Sequence, residues 1–286
     1  MSVIHDRSDV ARVLDDPAWQ VPEAAPGDTP FARLRGAASR FVNDRVHDAR
    51  RREIDARLAA IDAVQLGRDA GAWAQDALAR GREPAEIARR APVVVLAAAL
   101  GLADPESLAE AAATVAVPYA TGSVVDEPAV DAAAEQLLGA AAAGRHAALD
   151  AQLLVQAHTA TGALIATTLR RAAASPAMPT PRLVDLVLRD EPPVASTRRI
   201  APARTGETDD RDRVDGGPLG GRRLDELQFA DRGLVELRLD GPDREAREGA
   251  PPRNLAFGSG ARRCPASVHA VAIATAVVDV LREPSC

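Results

Sequence analysis

The sequence contains no lysine: all 35 of its Lys and Arg positions are arginine, set against 41 acidic residues. The formal charge of −6 and pI near 5.5 leave no basic footprint, which argues against a nucleic-acid partner. Aromatic residues are scarce, at 2%, so any core must be aliphatic. With 47% hydrophobic residues, dominated by Ala, Val and Leu, the composition favours helices over a β-sandwich. No stretch reaches the roughly 18 uncharged apolar residues that a membrane span needs, and Met1 to Arg7 has no apolar signal core. A soluble, cytoplasmic protein without a membrane partner is therefore expected. Cysteine occurs only as Cys264 and the terminal Cys286, with a predicted helix between them. That arrangement disfavours a disulfide and leaves Cys264 as a thiol or a ligand.

Helix signals fill most of the chain. Ser8 precedes Asp-Val-Ala-Arg-Val-Leu as a capped short helix, followed by a loop through Pro17, Pro22, Pro26 and Pro30. A strongly charged helix is predicted over 44–61, then others near 70–80, over 84–101 and over 104–117. The stretch 131–174 is nearly continuous helix former with a break at Gly144, and Ala147 to Arg171 reads as a long buried helix. A shorter helix over 181–189 ends in Glu191-Pro192-Pro193. From there to about Gly249 the Gly, Pro, Asp and Arg content predicts loops with brief strands, such as Leu234 to Leu239 in an edge pair. Ala266 to Arg282 is apolar almost all round, which requires burial.

The chemistry concentrates in Asn254-Leu255-Ala256-Phe257-Gly258-Ser259-Gly260-Ala261-Arg262-Arg263-Cys264-Pro265-Ala266. Pro265 suits the first position of the following helix, because its missing N–H would lack a partner there anyway. Cys264 is thus predicted at a helix N-terminus, where the partial positive charge favours a thiolate. Gly258 and Gly260 allow a turn tight enough to aim backbone N–H groups at the sulfur. Without a ligand, the same residues would be a glycine-rich turn ahead of a helix.

This segment resembles the heme-binding loop of the cytochrome P450 family, Phe-x-x-Gly-x-Arg-x-Cys-x-Gly. Phe257, Gly260, Arg262 and Cys264 fill four of the five fixed positions, and Ala266 stands at the fifth. The resemblance implies heme b with Cys264 as the axial iron ligand and Phe257 shielding the sulfur. It also implies Gly258, Gly260 and Ala266 shaping the loop against the cofactor, and Arg262 at a propionate. Upstream, His47 and Arg51 resemble the family's His-x-x-x-Arg, whose spacing shares one helix face. Arg199, in Ser196-Thr197-Arg198-Arg199-Ile200-Ala201, is similar to the strand arginine that reaches the other propionate. Leu153 to Thr161 resembles the distal helix crossing the heme, with Ala157 at its face and His158 and Thr161 in register. The implied fold is mainly α, a pared-down cytochrome P450-like fold with a few short β-strands, forming a single domain over 1–286.

The sequence departs from the family in instructive ways. The acid and alcohol that organise proton delivery fall at Thr159 and Ala160, leaving Thr159 and Thr161 as catalytic water holders. The Glu of Glu-x-x-Arg falls at Leu186, and Asp185 is about 100° around the helix. Arg189 is expected to pair with Asp190 or Glu191 instead. The segments that normally roof the substrate pocket are short. The resemblance implies a heme-thiolate oxidoreductase, monooxygenase- or peroxygenase-like, acting on a small organic molecule of specialised metabolism. It would use dioxygen with a ferredoxin-type redox partner, or peroxide. The alternative is a non-catalytic auxiliary protein that binds and stabilises a partner enzyme such as a glycosyltransferase.

Overall fold

The computed structural model describes residues 2–140, 147–202 and 233–283. The expected break at Gly144, most of the loop region after Pro193 (203–232) and Cys286 lie outside the described residues. The chain opens with strand β1 (Ser2–Ile4), a three-residue element too short to leave a sequence signal. Helix α1 (Arg7–Asp15) is capped by Asp6, whose Oδ1 accepts from the Ser8 N–H at 2.9 Å; the cap therefore sits two residues before the serine expected to supply it. Thr29 caps α2 (Pro30–Ala37), with Pro30 at the position where proline costs no hydrogen bond.

The helical body follows as α3 (Asp44–Ala59), α4 (Ala63–Ala79), α5 (Pro84–Ala99), α6 (Pro105–Thr121) and α7 (Glu127–Gly139). The element expected near 70–80 starts earlier, because Asp62 accepts hydrogen bonds from the Val64 and Gln65 N–H groups and opens α4 there. Helix α8 (Ala147–Gln156) runs through a π-helical turn (Ala157–Thr161) into α9 (Gly162–Ala174), forming the long helix expected over 147–171 with a widened turn inside it. Helices α10 (Thr180–Asp190) and α11 (Ser267–Arg282) complete the set. Among the described residues no helix is long and apolar enough to cross a membrane.

Strands β2 (Ser196–Ile200) and β3 (Leu234–Arg238) join β1 in a sheet of order β1-β3-β2. The expected edge strand is the central one: β1 pairs with it in parallel and β2 antiparallel. Its alternation has the cause inferred from sequence, since Val235 and Leu237 are fully buried on one face. The unforeseen feature is the second neighbour, supplied from the far end of the chain.

Three apolar clusters organise the interior. One gathers α2, α5, α6, α7 and α8; a second gathers α4, α5, α9, α10 and α11; a third lies between α1 and the sheet. Leu255 belongs to the third cluster, Ala256 and Phe257 pack on the second, and Ala266 packs on the first. The cysteine loop therefore sits where the three cores meet. Helix α11 is less enclosed than its composition suggested: Val268 is 62% exposed, and much of its first two turns is only half-buried. Arg7 ties the junction together, donating from Nε to the Gly241 carbonyl (2.7 Å), from Nη1 to that of Arg253 (2.8 Å) and from Nη2 to that of Arg189 (2.8 Å).

Candidate functional site

The loop is shaped by two left-handed glycines, Gly258 (φ +69°) and Gly260 (φ +64°). Gly260 meets a second constraint, since a Cβ there would fall 2.6 Å from the Leu14 carbonyl oxygen at the end of α1. Beside it the Ser259 hydroxyl donates to Asp15 Oδ1. Gly260→Ala combines an unfavourable backbone conformation, about 1–2 kcal/mol, with that backbone clash. It is expected to lower the thermal midpoint and to loosen hemin binding, both measurable in one melting series with and without hemin.

The Cys264 N–H donates to the Phe257 carbonyl at 2.8 Å and closes the loop, and the Ala266 N–H favours the anionic form of the Cys264 sulfur. Burial nevertheless pushes the thiol above its ordinary value, outweighing the Ala266 N–H and the nearby charges of Arg51 and Arg263. This corrects the expectation of a thiolate set by the helix dipole. Pro265 and Ala266 form a turn and α11 starts only at Ser267, with Ala266 as its N-cap. A cation at the sulfur would displace the proton.

The structure gathers three of the four cations expected at carboxylates. Arg199 is 6% exposed and Arg262 half-buried, and the charge of Arg262 lowers the pKa of both Arg199 and His47. The Arg199 guanidinium is pushed down to about 10 by burial first and then by Arg262 and Arg40. Among the described residues it donates only to neutral groups, the Thr197 hydroxyl (3.3 Å) and the Arg198 carbonyl (2.9 Å). Arg262 donates to the Val42 carbonyl (2.8 Å) and Asn43 Oδ1 (2.9 Å), with Asp48 and Asp44 acting on it only at longer range. Among the described residues no carboxylate forms an ion pair with either arginine. Arg51 stands apart from this group. Its Nε pairs with Asp55 at 2.8 Å and its Nη1 donates to the Arg263 carbonyl, so it braces the cysteine loop.

His47 is 6% exposed, and its Nδ1 lies 3.1 Å from Asp48 Oδ1. Its pKa is lowered by burial and by Arg262 and Arg51, with Asp48 opposing. A lowered folded pKa means that the unfolded chain takes up its proton first as pH falls. The stability His47 supports is therefore complete above about 6.5, its ordinary value, and is lost as pH falls through the lowered folded value. Urea unfolding of the hemin-free protein should show this loss, and His47→Gln should flatten it.

On the distal side Ala157 packs against the first core cluster and Thr161 is 4% exposed, so both sit inward. Thr159 is exposed, and its hydroxyl turns back to the Val155 carbonyl at 3.4 Å. Gly162 lies against α5, where a Cβ would come within 3.3 Å of the Ala88 carbonyl oxygen. Arg189 pairs with Asp190 at 2.6 and 2.9 Å, as its missing glutamate predicted. Sequence reasoning missed Asn43, whose side chain bonds Val21 N–H (2.9 Å), the Val21 carbonyl (3.1 Å) and Arg262. Its position just before α3 is a cap signal, which says nothing of these distant partners.

The donor set fits a heme. A thiol closes a glycine-cradled loop, and the buried Arg199 and half-buried Arg262 stand near each other with no ion-paired carboxylate among the described residues. No protein-family model matches the chain, and no curated protein matches it. Solved structures do. The chain is similar to P450BioI in complex with hexadec-9Z-enoic acid ligated acyl carrier protein, at 15% identity and a TM-score of 0.74, over 98% of this chain and 83% of that one. It is similar to CalO2 at 17% identity and a TM-score of 0.72, over 98% and 82%. It is similar to Mycobacterium smegmatis CYP164A2 at 19% identity and a TM-score of 0.68, over 98% and 83%. The chain has the cytochrome P450 fold in a shortened form, mainly helical with a small sheet.

Proposed function

We propose that this shortened cytochrome P450 fold is a single-domain heme-thiolate oxidoreductase acting on a small organic molecule of specialised metabolism. Cys264 would bind the iron of heme b, while Arg199, Arg262 and His47 would face the propionates and Arg51 would hold the loop. The observation that carries this reading is the pair Arg199 and Arg262, without an ion-paired carboxylate among the described residues, beside a loop built to present sulfur. When bound, heme would supply oxidising power drawn from peroxide, or from dioxygen and electrons delivered by a ferredoxin-type partner.

The chain's own residues favour peroxide. The distal turn holds no carboxylate, and Thr159 points its hydroxyl away, so Thr161 is left to hold water with His158 as the one titratable side chain in the turn. Peroxide brings its own protons. Hemin-loaded protein is expected to oxidise a small-molecule panel faster with peroxide than with ferredoxin and its reductase. Product mass spectrometry checks this, and absence of product with either oxidant would refute catalysis.

The same distal turn favours a second reading, an auxiliary protein that stabilises a partner enzyme such as a glycosyltransferase. Under that reading Cys264→Ser leaves the partner's activity and complex unchanged.

A further inference from the structure

Arg35 on α2 is a half-buried guanidinium with no counterion. Its Nε is buried without an acceptor, and among the described residues no carboxylate pairs with it. Its guanidinium carbon lies 4.5 Å from the Phe41 ring centroid and 5.9 Å from that of Phe31. Stacking on an aromatic face uses the flat side of the cation and leaves its in-plane N–H fork free. Burial lowers its pKa, and the adjacent charge of Arg40 lowers it further, with only the fully buried Tyr119 hydroxyl opposing.

Its surroundings belong to the candidate site. Phe41 stacks edge-on against Tyr119 at 5.0 Å and directly precedes Val42 and Asn43, the two acceptors of Arg262. The Tyr119 hydroxyl is 3.4 Å from Gln156 Nε2, immediately before the distal π turn. Arg40 acts on Arg35, Tyr119 and Arg199 alike, so Arg35 and Arg199 share one cationic neighbour. The two carboxylates of a heme would face Arg199 and Arg262 and leave Arg35 unmatched.

We infer that Arg35 is the specificity-determining residue for a substrate carrying a carboxylate or similar anionic group, held by the guanidinium fork beneath Phe41 and Tyr119. The inference rests on the function proposed above. A half-buried guanidinium with no carboxylate partner among the described residues is a cost to the empty protein, and an anionic ligand converts it into a charge-assisted, bidentate contact.

Calorimetric titration of hemin-loaded protein with decanoate and with decan-1-ol, equal in chain length, tests this. Decanoate should bind about tenfold more tightly or better. Arg35→Met should bring it to the level of the alcohol while leaving alcohol binding in place, and Arg35→Lys should restore part of the preference. Retained alcohol binding shows that the variant folds. Equal binding of the two probes to the unaltered protein, or a preference that survives Arg35→Met, overturns the assignment. The hemin spectrum separates the two claims. If it is present, either result counts against Arg35 alone; if no hemin binds, the proposed function fails, and the Arg35 dependence of decanoate binding still decides the anion site.

Discussion

Arg199→Met stabilises the hemin-free protein while weakening its hold on hemin. Arg199 is buried against Arg262 and Arg40, and its own hydrogen bonds go to a hydroxyl and a carbonyl. Replacing an uncompensated buried charge by an apolar side chain of similar length removes a desolvation penalty, and a gain of about 1 kcal/mol or more is expected. With hemin present the sign is expected to reverse, because under the proposed function the same guanidinium would meet a carboxylate. Truncating one partner of a buried, hydrogen-bonded charge pair costs about 2–5 kcal/mol, at least tenfold in affinity. Urea unfolding of the hemin-free protein and a hemin titration at the Soret band read the two effects separately. A purely structural arginine would lower stability in the first and change nothing in the second.

Arg7→Met destabilises the protein by about 3–5 kcal/mol, with or without hemin. Arg7 is 2% exposed and donates to three carbonyls, those of Arg189 at the end of α10, Gly241 after the sheet and Arg253 ahead of the cysteine loop. Burial lowers its pKa while Asp240, Asp190 and Asp243 oppose the shift. Removing the guanidinium strips a donor from all three carbonyls at once. Lysine carries the charge without the planar fork, so Arg7→Lys recovers only part of the loss. The urea midpoint measures both variants; a shift below 1 kcal/mol for methionine would show that the carbonyls find other donors. This contact also bears on the missing glutamate of the Glu-x-x-Arg pattern. The C-terminus of α10 is held by Arg7 through the backbone of Arg189, while the Arg189 side chain is taken by Asp190.

Most helices could be read from sequence because their causes are local. Pro84 and Pro105 stand in first turns, and the charged α3 begins at Asp44 as expected. What could not be read is non-local. Strand β1 exists only because β3, more than 200 positions away, offers it an edge. Arg7 and Asn43 look like ordinary residues at helix starts, and only the fold brings them their partners. The cysteine loop was legible as a contiguous pattern. Its electrostatics were not, because burial of the thiol and the two-residue delay of α11 depend on three cores meeting at that point. Thr159 belongs to the site through its place in the family's distal-helix pattern, at the position of the acid. The π turn inserts its extra residue there and changes which side chains face inward.

The central claim is a bond between Cys264 sulfur and heme iron, and a carbon monoxide difference spectrum of the reduced, hemin-loaded protein tests it most directly. A strongly red-shifted Soret band that disappears in Cys264→Ser is the predicted result. Failure of the protein to take up hemin, or an identical spectrum from Cys264→Ser, would contradict it.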